Sequence, residues 1–253
     1  SGIAHWVGCT GMGLCSSGRE TYELPALAVL ATPFCGEDFR IIPGFDTDPL
    51  EWLEASRDWR ERNLASVAVV HGDPACTALP ELLVSFSERL QGGFLVGGIA
   101  SAQNLPVQVA DRAEGGGLSG VLFSGKVAIS TGLSQGCSLI GQRHRITACQ
   151  RNIIETIDGR PALDVFKEDI GEVLARDLRR VGGYIFVALP IAASDTGDYL
   201  VRNLVGIDPD RGLIAIGDIP QPGMEIQFAR RDAETAREDL AQTIDALMKR
   251  LPG

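Results

Sequence analysis

Apolar residues in this chain come in short runs that glycine, proline or an Asp-Gly pair cuts off, and no run reaches the 18 or so residues needed to span a bilayer as a helix. Runs such as Val67–Val70 and Leu213–Ile216 are too short for stable helices and read as strands closed by turns. Only a few segments carry apolar residues at helical spacing: Asp48–Asn63, Leu79–Leu90 with Pro80 near its start, Pro161–Phe166 running on through Asp169–Val181, and Asp232–Leu251. With 253 residues the chain can bury a sizeable core without disulfides.

The order of elements gives an α+β expectation: largely antiparallel β-sheets flanked by helices, in two halves spanning residues 1–140 and 141–253. In the first half, strands are expected at His5–Cys9, Ala26–Thr32, Val67–Val70 and Phe94–Ser101, with a hairpin at Gly120–Gly132 turning on Ser124-Gly125. In the second, a hairpin across His144–Thr156 and Asp158-Gly159-Arg160 precedes a meander of Tyr184–Pro190, Leu200–Ile207, Leu213–Ile216 and Glu225–Ala229. Two segments run from a strand into glycines: Val7-Gly8-Cys9-Thr10 and Val96-Gly97-Gly98-Ile99, each followed by an apolar run (Leu27–Leu30 and Val121–Phe123). The recurrence reads either as an internal duplication or as two independent turns of similar composition.

Charge narrows the function classes. Lys and Arg number 23 against 33 Asp and Glu, a net charge of -10, and the basic stretches Gln142–Arg145 and Arg176–Arg180 are short and interrupted. A phosphate-backbone binder needs clustered cations, so nucleic acid is not an expected partner. No secretory leader is legible, and the six cysteines show neither paired nor zinc-type spacing. Reduced thiols and a cytoplasmic setting follow, with no membrane association.

Chemistry is harder to find. The loop Gly8-Cys9-Thr10-Gly11-Met12-Gly13 lacks the Lys-Ser/Thr ending of a phosphate-binding loop and the continuation of a dinucleotide fold. Its composition suits a turn with positive φ, or a cradle of backbone N–H groups for a small anion. Cys9, Cys15 and Ser1 could be nucleophiles only with a base in reach, yet His5, His71 and His144 stand in no catalytic signature. The acid pairs Asp169/Glu172 and Asp195/Asp198 read as solvated or capping groups. The expectation is a protein that is not an enzyme and holds no metal.

The segments Gly8–Gly11, Leu95–Ser101, Tyr199–Asp208, Gly217–Met224 and Arg230–Asp232, in that order along the chain, together resemble the FIST sensory domain family. The resemblance implies a small-ligand sensor of signal transduction, with an amino acid as the ligand usually suggested and a signalling protein as its output partner. It also implies segments that flank this region in longer proteins. Two other readings come with it: a protein–protein scaffold, as in eukaryotic F-box members, and a haem-based nitric-oxide sensor, for which His144 or His71 would be the axial ligand. No catalytic set carries over. The ligand-binding positions expected are Cys9 and Thr10 on one loop, Gly98 and Ser101 on the other, and Arg202, whose guanidinium fork suits a carboxylate. A salt bridge across the meander is the competing reading for Arg202.

Overall fold

The computed structural model describes residues 2–65, 67–90, 94–102, 104–191 and 199–251. Its contacts divide the chain into two units between Ile129 and Ser130. Sheets are mostly antiparallel and helices flank them, the α+β architecture expected.

The first unit holds β1 (Val7–Cys9), β2 (Gly13–Ser16), β3 (Arg19–Tyr22), β4 (Phe39–Phe45), α1 (Leu50–Ala55), α2 (Arg57–Asn63), β5 (Val67–Gly72), α3 (Leu79–Arg89), β6 (Phe94–Ile99), β7 (Gln108–Ala110), β8 (Ala113–Glu114) and β9 (Leu118–Phe123). A four-stranded sheet runs β4-β9-β5-β6, and β1-β7-β8 and the β2-β3 hairpin form smaller sheets. Among the described residues only β5 and β6 pair in parallel, joined through α3 as a parallel pair requires. Ala68 and Val70 of β5, with Leu118 and Leu122 of β9, face a core that includes Trp59, Leu79 and Phe86.

The second unit holds β10 (Ser138–Gln150), β11 (Ile153–Ile157), β12 (Arg160–Pro161), α4 (Ala162–Ile170), α5 (Glu172–Ala175), a 3-10 turn at Leu178–Arg180, β13 (Ile185–Pro190), β14 (Tyr199–Asp208), β15 (Leu213–Ile216), β16 (Glu225–Arg230) and α6 (Ala233–Arg250). The ladder runs β10-β16-β13-β14-β15-β11, and β11 pairs back onto β10, so six antiparallel strands close into a barrel. Closure leaves these strands without an edge. Leu163, Val165 and Phe166 of α4 join Ile146, Ile154, Ile214 and Phe228 in the barrel core, and the rings of Phe166 and Phe228 meet edge to face at 5.0 Å.

Several local expectations are corrected. Ala26–Thr32 forms no strand; it runs exposed, with Leu27 86% and Leu30 90% accessible. It lacks the alternation of a half-buried strand, and Pro25 and Pro33 remove a ladder donor at each end. Residues 120–132 are not a hairpin, because β9 is taken up between β4 and β5 and the chain leaves the sheet after Phe123. The helix expected over Asp48–Asn63 breaks into two at Ser56. β1 and β6 stand in different sheets, one antiparallel to its partner and one parallel.

Asp169, read from sequence as a solvated or capping acid, is instead a structural partner of His144. His144 of β10 has a side chain 4% exposed, with Nδ1 2.6 Å from Asp158 Oδ2 and Nε2 2.9 Å from Asp169 Oδ2. Ionised carboxylates only accept, so this arrangement favours a proton on each ring nitrogen, the imidazolium form. The two carboxylates tie β10 to the Asp158-Gly159 turn and to the end of α4. Gly141 clears the space: a Cβ there would lie 2.0 Å from Asp169 Oδ2, and its φ is +62°.

Burial alone would lower the His144 pKa, but the hydrogen bonds and charges of Asp158 and Asp169 outweigh it and the net shift is upward. A pKa raised on folding adds stability that is complete below the ordinary imidazole value and is lost as pH rises through the folded-state value. His144→Asn should therefore cost about 2–4 kcal/mol at pH 6. Urea melts at pH 6 and pH 9 should show that cost shrinking at the higher pH; a cost independent of pH would mean that the buried ring is neutral.

Candidate functional site

In sheets with parallel strands, ligands gather outside the carboxyl ends of those strands. Here the ends are His71-Gly72 of β5 and Gly98-Ile99 of β6. The Gly72 carbonyl accepts from the Ala100 N–H at 2.8 Å, which carries the chain after β6 alongside β5. The next residue meets the other glycine loop: the Ser101 N–H donates to the Thr10 carbonyl at 3.1 Å, and the Met12 N–H donates to Ser101 Oγ at 3.1 Å. Thr10 is itself pinned, its N–H donating to the Val107 carbonyl at 2.9 Å and its Oγ1 accepting from the Val107 N–H at 3.0 Å.

The glycines here are matters of space. A Cβ on Gly97 would fall 1.8 Å from the Val70 carbonyl oxygen, at φ +153°. Gly98, by contrast, has no heavy atom within 4 Å of where its Cβ would be, so β6 ends in an open notch. Beside it lies a largely apolar cavity of about 280 Å³ lined by Val70, Gly72, Leu79, Leu95, Gly98 and Ile99, among others. That volume falls near the low end of the roughly 300–1,000 Å³ typical of small-molecule pockets.

On the opposite face of β5 is a polar row that sequence reasoning missed. His71 stands in register between Gly98 of β6 and Ser119 of β9. Ser119 is fully buried and donates to Oε1 of the equally buried Gln108, whose Nε2 donates to the Gly117 carbonyl at 3.3 Å. Gln108 is paired directly with Cys9, and opposed residues of an antiparallel pair share a face. His71 Nδ1 is buried and makes no hydrogen bond. Such an unmet group costs on the order of 1–3 kcal/mol, and burial holds the imidazole below its ordinary pKa. The signal available in sequence was the position of His71 on a β5 face alternate to the core residues Ala68 and Val70.

The structure thus joins Thr10 and Ser101 by hydrogen bonds, sets Cys9 next to Thr10, and puts Gly98 at the rim of the cavity. Cys9 is exposed to solvent, and the partial desolvation it does feel raises its thiol above the usual pKa. Arg202 lies in the second unit on β14, where its Nε donates to Asp218 Oδ2 at 2.6 Å and holds that carboxyl below the usual range. The salt bridge across the meander is formed. Both ring nitrogens of His144, a haem-ligand candidate, are engaged by carboxylates. Among the described residues no three His, Cys, Asp or Glu side chains gather as for a metal ion, and no helix is long and apolar enough to cross a membrane. Ser1, Asp195 and Asp198 lie outside the described residues.

Comparison with known proteins adds family context. The model of the FIST N domain matches residues 2–160 and that of the FIST C domain residues 162–251. The chain is similar to the uncharacterized proteins MT0656 and Rv0628c of two Mycobacterium tuberculosis strains, 29% identical over 269 residues that cover 98% of this chain and 66% of each relative. Mb0898c of Mycobacterium bovis, also uncharacterized, is 28% identical over 267 residues, 98% of this chain and 65% of the relative. The chain thus spans just under two thirds of the length of these relatives. No solved structure matches.

Two outcomes test the site. Gly97→Ala should lose about 2 kcal/mol or more in chemical denaturation, while Gly98→Ala should change stability little; equal losses would contradict the close approach at Val70. The Cys9 thiol should alkylate with iodoacetamide at pH 7.5 several-fold more slowly than free cysteine, followed by peptide mass spectrometry. A faster rate would revive the nucleophile reading.

Proposed function

Because this chain belongs to the FIST family, whose domains are sensory domains of signal transduction, we propose that it binds a small metabolite of amino-acid size at the carboxyl ends of β5 and β6. One observation carries this reading: the two glycine loops are stitched through Ser101 and Thr10 beside a largely apolar cavity of about 280 Å³. An apolar side chain would enter beside Leu79 and Ile99, while the hydroxyls of Thr10 and Ser101 meet the polar end of the ligand. Cys9 is not read as a nucleophile: among the described residues no base is bonded to its thiol, and its pKa is raised. The protein is not an enzyme in this reading. It works in the cytoplasm and passes its bound state to a signalling protein.

Arg202, in the second unit, is engaged by the Asp218 carboxylate. The haem alternative has less behind it, since the cavity is small and His144 has no free ring nitrogen. A scaffold role has one observation in its favour, the exposed apolar run Leu24–Leu30.

A thermal-shift screen against the twenty amino acids, common metabolites and haemin tests the proposal. A ligand at 100 times its Kd adds about 2.7 kcal/mol, a shift of several degrees for a domain of this size. The shift should shrink in Thr10→Val and Ser101→Ala. A protein that melts cooperatively and responds to no compound would favour the scaffold.

A further inference from the structure

The walls of the cavity at the ends of β5 and β6 select a kind of molecule as well as a size. Val70, Leu79, Leu83, Leu95, Val96 and Leu118 form most of them, with glycine backbone between. No described residue lining the cavity carries a charged side chain or a side-chain hydrogen-bonding group. Val70, Leu79 and Leu118 are buried, so the inner end is closed to water. A carboxylate or ammonium placed there would lose its hydration with nothing in return, a penalty far above that of an uncharged polar group.

The two hydroxyls of the stitched loops differ in what they have left to offer. Thr10 Oγ1 already accepts from the Val107 N–H at 3.0 Å and donates to the Val107 carbonyl at 3.4 Å, which leaves it a secondary contact. Ser101 Oγ accepts from the Met12 N–H, and its own proton has no acceptor among the described residues. One free hydroxyl proton suits a single neutral acceptor, such as a carbonyl oxygen. The charged residue that follows β5 is Asp73, next to Gly72, with its Oδ1 taking the Ala75 N–H at 2.8 Å. Its carboxylate is of the sign that repels a second one.

We propose, on the ligand reading of this same site, that its occupant is an uncharged molecule: an apolar body ending in one carbonyl-type acceptor. Free amino acids and carboxylates are excluded. Four probes that share a branched apolar chain separate the cases: 4-methylpentanamide, 4-methylpentanoate, 3-methylbutylamine and leucine. Each is titrated into the full chain at pH 7.5 and followed by thermal shift and by the methyl proton–carbon spectrum. The amide should raise the melting temperature and move the methyl signals of Leu79, Leu83 and Val96. Its Kd should lie on the order of tenfold or more below those of the three charged probes. Ile99 lines the cavity yet is 62% accessible, so Ile99→Trp fills the space from a solvent-facing position. The amide response should vanish in that variant, and a response that persists overturns the proposal. A charged probe that moves the same methyl signals at an equal or lower Kd overturns the uncharged class and leaves the site standing. If none of the four moves those signals in a chain that melts cooperatively, the ligand site itself falls and the proposal with it.

Discussion

The first unit depends on how closely strands can approach β5. Val70 has a glycine directly beside it on each side, Gly97 of β6 and Gly120 of β9. A Cβ on Gly97 would sit 1.8 Å from the Val70 carbonyl oxygen, and one on Gly120 2.1 Å from that of Val69. Side chains at either place would force the sheet apart. Their absence leaves Val70 to pack beneath α3 with Leu79 and Leu118, and Gly97 continues into the lining of the cavity beside Gly98. The packing constraint and the cavity are two results of the same missing atoms.

The second unit solves its packing by another route. Six strands hydrogen-bond around a closed circuit, α4 supplies the filling, and a charged ring is buried where β10, the Asp158 turn and α4 converge. An ion so placed contributes less by its net energy than by forbidding alternatives, since any register that separates His144 from Asp158 or Asp169 strands a buried charge. The tight turn at Asp158-Gly159, both at positive φ, holds one of those partners in place.

Much of this was legible in the residues. The short β-branched runs located most strands, the capping residue Asp232 marked the start of α6, and the Asp-Gly pair marked a turn. The two glycine loops were recognised as the place to look, and the structure brings Thr10 and Ser101 into contact. What escaped were relations across long separations. Nothing local in Ala26–Thr32 shows that no sheet receives it, and nothing around Ser138–Gln150 shows that β11 will pair back to close a barrel. Asp169 looked like any surface acid because its partner lies 25 residues away. Arg202 offered two readings of equal weight until Asp218 was seen beside it. The row of His71, Ser119 and Gln108 exists only once β5, β9 and β7 are assembled.

The stitch between the loops also bears on how the protein comes together in time. β5, α3 and β6 are consecutive and can form early from nearby contacts, but the bond from Met12 to Ser101 joins residues 89 apart and that from Thr10 to Val107 residues 97 apart. Closing so long a loop is entropically slow and contributes only after the sheet exists to hold both ends. The loop ends around Thr10 and Ser101 are thus the last part of the first unit to assemble and the first to open. Local unfolding there needs no disruption of the core around Phe86, so amide exchange at Met12 and Ser101 would run ahead of the rest. A molecule that fills the notch would close a door that the folded protein leaves ajar.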